Sequence, residues 1–274
     1  MGYKRIDLRS LVSADQWDFI EAIENNKHFF TSTTIIRGIE LKYYTYNKRL
    51  LWIAKGLEYI EPELLDWIDN MNEDAVYYDV GASNGPFSIY AALKGKKVVA
   101  FEPEAQNYSV LEMNHFLNNN SIKYPIVALN LAISSQSGLG RMNCAHYEGG
   151  GHLKILDNNR AVLSNEIFKP VHIQCVVKET LDNVIEKYEL PFPEYIKIDV
   201  DGSEELVIKG AENTLRDNRL KSIFIELQCP DLGIENHQVT KMISDFGFFL
   251  SSAVQVQRYE GLYNCIFNKT LAKA

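Results

Sequence analysis

Three glycine-punctuated or acid-tipped stretches in this chain have residue types suited to chemistry. In Val76-Tyr77-Tyr78-Asp79-Val80 an acid sits near the end of an apolar stretch, and the loop Gly81-Ala82-Ser83-Asn84-Gly85 follows directly. Gly81 and Gly85 permit a tight turn and let the backbone approach a ligand without a Cβ clash. Further on, Val98 to Phe101 is a second apolar stretch, closed by Glu102-Pro103. A carboxylate there can accept from both hydroxyls of a ribose, and Pro103 suits the start of a helix. Nicotinamide dinucleotides use an acid at the same place, but their loop reads G-x-G-x-x-G around a pyrophosphate. Here Ser83 and Pro86 break that pattern, and Asp79 would repel a diphosphate. Asp79 favours an ammonium instead. The implied ligand is a nucleoside carrying an amino acid, without phosphate. Asp79, Gly81, Ser83, Asn84, Gly85, Glu102, Pro103 and Ala132, with Asp199 beside them, form the expected cofactor set.

The third stretch is Tyr195-Ile196-Lys197-Ile198-Asp199-Val200-Asp201. Lys197, Asp199 and Asp201 recur at every second residue, so on a strand they share a face. Charges on a covered strand are costly unless paired or placed at its end. Asp199 is therefore expected at a ligand crevice, as a base or an acceptor-orienting group. The competing reading has it capping the helix at Ser203-Glu204 or pairing with Lys197. Glu226 ends the following strand and should face the same crevice, to hold substrate hydroxyls or to pair with a loop. Gly149-Gly150-Gly151-His152 reads as a mobile loop carrying a group that titrates near neutral pH, or as a surface histidine. His146 is a weaker candidate of the same kind. His28, His115, His172 and His237 are read as structural or solvated. Asp199, Asp201 and Glu226 are oxygen donors of the type Mg²⁺ takes, but no spacing demands a metal and none is expected.

These side chains need elements to hold them. Short apolar strands at 76–80, 97–101, 125–133, 171–177, 195–200 and 222–228 alternate with helical stretches at 87–93, 105–117, 181–188, 204–215 and 239–246. Such alternation builds a parallel sheet with helices on both faces. Residues 248–254 and 262–267 read as a closing antiparallel pair that adds one reversed edge strand. The stretch from about 134 to 170, rich in Ser and Gly, reads as an insertion of short strands and mobile loops. Residues 1–72 read as an N-terminal helical cap, with Thr31 to Thr34 a loop or edge, and 73–274 as the main domain. Tyr43, Tyr44, Tyr46 and Trp52 in the cap either pack it onto the sheet or stack on a sugar ring.

The loop from Asp79 to Gly85, Phe101-Glu102-Pro103, and Tyr195 to Glu204 together resemble the FkbM family of methyltransferases. Lys209-Gly210-Ala211, Ile225-Glu226-Leu227 and Thr180-Leu181-Asp182-Asn183 fit the same pattern. The resemblance covers about residues 76 to 230. It implies a Rossmann-like class I methyltransferase fold, here a mostly parallel seven-stranded α/β sheet. It also implies S-adenosyl-L-methionine as cofactor. Family members are bacterial enzymes that mostly methylate hydroxyl oxygens of sugars or polyketide-type products, which implies an O-directed enzyme with a small-molecule or glycan acceptor. On that reading Asp199, His152 and Lys197 are the catalytic candidates, and Asp201, Glu226 and His146 the substrate candidates. This sequence has Ser83 where the family usually has Asn, and Asp201 where it tends to have Glu.

Composition narrows the partners. The formal net charge is −8 and no basic run exceeds Lys94-Gly95-Lys96-Lys97, so DNA is not an expected substrate. Met1-Gly2-Tyr3-Lys4-Arg5 opens no apolar signal segment, and no apolar run spans a bilayer, so a cytoplasmic enzyme is expected. The four cysteines are too far apart for a zinc or redox pair and are read as reduced core residues. Two other readings stand beside the methyltransferase: a nicotinamide-dependent oxidoreductase, and a non-catalytic S-adenosylmethionine-binding protein.

Overall fold

The computed structural model describes residues 7–25, 30–161, 166–229, 233–256 and 259–270. Met1 to Arg5 and His28 lie outside the described residues. The chain begins with helix α1 (Ala14–Asn25), the hairpin strands β1 (Thr31–Ile36) and β2 (Ile39–Tyr44), and helices α2 (Lys48–Ile60) and α3 (Pro62–Asp69). The expected helical cap thus contains an antiparallel hairpin, and Thr31 to Thr34 are strand. The run Thr33-Thr34-Ile35-Ile36 is β-branched throughout and suits a pleated surface.

The main sheet then forms from β3 (Val76–Val80), β4 (Lys97–Phe101), β5 (Val127–Leu129), β10 (Tyr195–Ile198), β11 (Ser222–Gln228), β12 (Phe248–Gln255) and β13 (Leu262–Lys269). Its order is β12-β13-β11-β10-β3-β4-β5. β13 runs antiparallel to both neighbours, one place in from the edge. The expected third strand at 125–133 divides in two. Val127–Leu129 joins the main sheet, whereas β6 (Ala132–Ile133) joins a second sheet with β7 (Gly138–Cys144), β8 (Lys154–Leu156) and β9 (His172–Glu179). Helices α4 (Pro86–Leu93), α5 (Ala105–Asn118), α6 (Leu181–Lys187), α7 (Glu204–Lys209), α8 (Glu212–Arg216) and α9 (Gln238–Asp245) complete the chain.

All five residues of β3 are buried. Its side chains divide by the period of two. Val76, Tyr78 and Val80 join one core with Ile196, Ile198, Ile223 and Ile225, under α6, α7 and α9. Tyr77 joins the other with Val98, Ala100 and Phe224, under α2, α3 and α4. Trp67 of α3 seals this second core, and its indole N–H donates to Ser222 Oγ at 2.9 Å. By the same alternation Asp79 points to the side covered by α2–α4, as do Lys197 and Tyr195 of β10. The register places Lys197 beside Asp79 and Ile198 beside Val80.

One cysteine departs from expectation. Cys144, Cys229 and Cys265 are buried, but Cys175 is exposed, because Gln174 and Val176 alternate with it on β9 and Val176 takes the inward place. Native protein treated with a maleimide should therefore gain one adduct per chain, and denatured protein four. Intact mass measurement reads this directly, and an adduct on Cys265 before Cys175 would contradict the packing described.

Candidate active site

At the carboxyl end of β3 the chain turns through three left-handed residues: Gly81 at φ 81°, Ser83 at φ 52° and Gly85 at φ 78°. Gly81 is required by its neighbour. A Cβ there would lie 1.8 Å from the Asp199 carbonyl oxygen, so this glycine serves the contact between β3 and β10. The loop is tied to β4 by the N–H groups of Gly81 and Ala82, which both donate to Phe101 O. Glu102 follows immediately and is 6% exposed. Its carboxylate accepts from Ser83 N and from Glu104 N, each at 2.8 Å. Burial pushes Glu102 up to about 7, against the pull of those two N–H groups.

A cavity of about 220 Å³ opens between this loop, Glu102-Pro103, Leu131 to Ile133, and Asp199 to Asp201. Gly81, Ser83, Asn84, Glu102, Pro103, Ala132, Lys197 and Asp199 all line it. Asp79 does not. It is 1% exposed and lies behind the wall, accepting from Ser88 Oγ at 2.6 Å. Its other oxygen is 3.3 Å from Lys197 Nζ, in an ion pair without hydrogen-bond geometry. Lys197 Nζ also lies 3.2 Å from Asp199 Oδ2 and donates to Gly81 O at 2.8 Å. Burial opposes the charge on Lys197, but Asp199, Asp79 and Glu61 more than compensate and hold it protonated. Both readings of Asp199 thus meet: it lines the cavity and pairs with Lys197.

A second cavity, of about 850 Å³, adjoins the first. Arg49, Trp52, Ile60, Glu61, His152, Asp199 and Asp201 line both. Glu204 and Glu226 line the second alone, with Tyr59, Tyr259 and His237. Burial and the charge of Asp199 push Asp201 up to about 6 and Glu226 well above the usual carboxylate range. Glu204 is pushed to about 7, first by burial. Among the described residues no group of three or more His, Cys, Asp or Glu has an arrangement that could hold a metal ion.

The glycine run departs from the expected mobile loop. Gly149, Gly150 and Gly151 are buried. Gly149 N donates to Tyr46 Oη, Gly150 N to Asn107 Oδ1, and Asn47 Nδ2 and Arg49 Nε donate back to the carbonyls of Gly149 and Gly150. A Cβ on Gly149 would sit 2.4 Å from the Tyr46 hydroxyl, so these glycines form a seam against the N-terminal elements. His152 emerges from the seam exposed on both cavities, lowered in basicity by burial and by Arg49. His146 lines neither cavity and stands 5.4 Å from His152, ring centre to ring centre. His237 caps α9 by accepting from Val239 N, besides lining the second cavity.

Sequence reasoning missed the wall supplied by α2: Arg49, Ile53, Leu57 and Ile60, and Glu61 beyond its end. Of the two readings of Trp52, packing the cap or stacking on a sugar ring, its place on both cavity walls favours the second. The available signal was Glu61-Pro62, an acid at a helix break where proline stops one helix and starts the next. Lys154 was also missed. It lines the first cavity and pairs with Glu104, which is fully buried.

The first cavity suits a cationic nucleoside. Glu102 presents a carboxylate fixed by two N–H groups, and the Asp79–Lys197–Asp199 trio carries one negative charge in excess. S-adenosyl-L-methionine, with a ribose diol, an ammonium and a sulfonium, has matching groups. An open sheet in this order, with its glycine loop after the first central strand and an acid after the second, takes a nucleoside-type ligand beyond its carboxyl strand ends, as S-adenosylmethionine-dependent methyltransferases do. Residues 79–250 match the family described as the methyltransferase FkbM domain, and this chain belongs to that family.

The hexuronic acid methyltransferase AglP of Haloferax volcanii is 23% identical over 212 residues, which cover 77% of this chain and 78% of AglP. A solved FkbM methyltransferase from Methylobacillus flagellatus KT is 16% identical with a TM-score of 0.46; the match covers 72% of this chain and 44% of that one. The magnesium protoporphyrin IX methyltransferase of Synechocystis PCC 6803, solved with bound S-adenosylmethionine, is 10% identical with a TM-score of 0.48, covering 82% of this chain and 86% of its own.

Proposed function

We propose that this protein transfers the methyl group of S-adenosylmethionine to a hydroxyl oxygen of a sugar or glycan. The observation that carries this reading is the second cavity. It meets the first at Asp199 and Glu61, and Asp201, Glu204 and Glu226 give it many hydrogen-bond acceptors. A surface rich in acceptors suits a ligand rich in hydroxyl donors. Trp52, Tyr59 and Tyr259 add aromatic faces of the kind that sugar rings stack on. AglP, which acts on a hexuronic acid by name, lends support from sequence.

In this reading Glu102 holds the ribose and the loop from Gly81 to Gly85 shapes the cofactor pocket. Asp199, on the wall, takes the ammonium-facing place the sequence suggested for Asp79. Lys197 organises the two aspartates. Asp201 and Glu226 face the acceptor, and His152 stands at its entrance. Residues 1–72 act as a cap whose helix α2 walls both cavities, over a main domain at 73–274. Among the described residues no helix is long and apolar enough to cross a membrane. The net charge of −8 favours a non-nucleic-acid acceptor, and in this reading the enzyme meets it in the cytoplasm or at a membrane surface.

Isothermal titration should show saturable S-adenosylmethionine binding, and a panel of glycosides and uronosides should include one that drives release of S-adenosylhomocysteine. Tight NADH binding in a fluorescence titration would favour the oxidoreductase instead. Cofactor binding without release from any member of the panel would defeat the sugar reading.

A further inference from the structure

We infer that Glu61 is the base that takes the proton from the acceptor hydroxyl, a catalytic role that rests on the hydroxyl-methylating reading above. Methyl transfer must occur where the two cavities meet, and three carboxylates line both: Glu61, Asp199 and Asp201. Two of them are already engaged. Asp199 is in an ion pair with Lys197, so its carboxylate already has a partner. Asp201 accepts from Lys154 N at 3.3 Å and is held in a left-handed backbone at φ 52°. The Glu61 side chain has neither a hydrogen bond nor an ion pair among the described residues, although it is half-buried. The helix break puts it there: α2 ends at Ile60, Pro62 begins α3, and Glu61 between them has φ −142° and ψ 71°. A carboxylate kept partly from water with no partner is costly to maintain, and a proton-donating ligand relieves that cost.

Its surroundings also set its basicity. Burial first, then Asp199, push the carboxyl up to about 8; Asp79 and Glu63 act in the same direction, while Lys197 opposes them. Glu226 and Tyr77 lie within its field, and Arg49 and His152 share its cavity walls. A base is most effective when its pKa lies near the working pH. In the reaction the acceptor O–H bond breaks and its proton passes to a Glu61 oxygen. The acceptor oxygen forms a bond to the methyl carbon. The bond from that carbon to sulfur breaks with its electron pair going to sulfur, which leaves a neutral thioether.

The test compares wild type, Glu61→Gln and Glu61→Asp, using S-adenosylhomocysteine release from whichever glycoside of the panel the wild type methylates. Glu61→Gln should bind S-adenosylmethionine within about tenfold of wild type and lose at least about a hundredfold in kcat, with Glu61→Asp between them. The wild-type kcat/KM should rise with pH to a plateau above about 8. In kcat that rise should move to lower pH, because the bound cationic cofactor favours the ionised carboxylate. In Glu61→Gln the kcat limb should vanish, while kcat/KM keeps only the limb near about 7 that Glu102 imposes through cofactor binding. A Glu61→Gln variant within about threefold of wild-type kcat, or one that keeps the kcat limb, overturns the assignment while the hydroxyl reading stands. If Glu61→Gln does not fold, Glu61→Asp with unchanged kcat and pH profile overturns it equally. Cofactor binding by wild type without release from any glycoside overturns the hydroxyl reading, and this assignment with it.

Discussion

Lys197→Met should cost the fold about 3–5 kcal/mol, because removing one partner of a buried ion pair strands the other. The lysine is 3% exposed and Asp79 1%. Its Nζ is the cation for two carboxylates, at 3.3 and 3.2 Å, and the donor to Gly81 O at 2.8 Å. Methionine fills similar space but supplies none of these. Asp79 would keep only the Ser88 hydroxyl. A loss of this size corresponds to a fall in melting temperature on the order of 10 °C for a chain of this length. The double variant Lys197→Met with Asp79→Asn should recover most of the loss, since the fully buried charge is then gone and Asp199, a third exposed, can be solvated. The measurement is urea unfolding of the wild type, both single variants and the double. Single variants whose losses simply add in the double would mean that the pair is uncoupled, contrary to this geometry.

The elements that position the site were legible because their signals are local. β3 and β4 are continuous apolar runs, and the acid and glycines after them lie within a few residues of their strands. The alternation of Lys197, Asp199 and Asp201 correctly placed the first two together. What sequence could not give was the partner. Asp79 and Lys197 meet only through the parallel register of β3 with β10, and the sequence between them does not encode that pairing visibly. Asp79 was therefore assigned to a ligand, when its nearest cation is a side chain. The same blindness hid Glu61 and Arg49. Periodicity tells which face of α2 is apolar, but not that this face closes over two cavities. The glycine run misled for another reason. Glycine marks either freedom or crowding, and only the positions of Tyr46 and Leu50 show that here it is crowding. Cys175 was readable by strict alternation from Val176, but an apolar stretch invites burial of every member.

Glu102→Ala should weaken S-adenosylmethionine binding by about a hundredfold, since hydrogen bonds to a charged group contribute about 1.5–3 kcal/mol and each 1.4 kcal/mol is tenfold. Two effects combine. The diol loses its acceptor, and the loop loses its tether, because Ser83 N and Glu104 N both donate to this carboxylate. Glu102→Gln separates them: its amide oxygen can still accept one bond, so it should bind more tightly than alanine and less tightly than wild type. Burial adds a pH signature. Glu102 is pushed up to about 7, and only the ionised form accepts from both hydroxyls and both N–H groups. Below that pH a proton must leave before the cofactor is held, so affinity should fall towards tenfold per unit as the medium becomes more acidic. Above it the Glu102 contribution should be flat, leaving only the smaller rise through about 8 that the cofactor's preference for ionised Glu61 requires. Titrations between pH 5.5 and 8.5 on wild type and Glu102→Gln should show the slope below about 7 in the first and lose it in the second. Equal slopes in the two proteins would assign the proton to Glu61 or Asp201 instead, and a wild-type affinity unchanged by Glu102→Ala would remove the ribose from this carboxylate altogether.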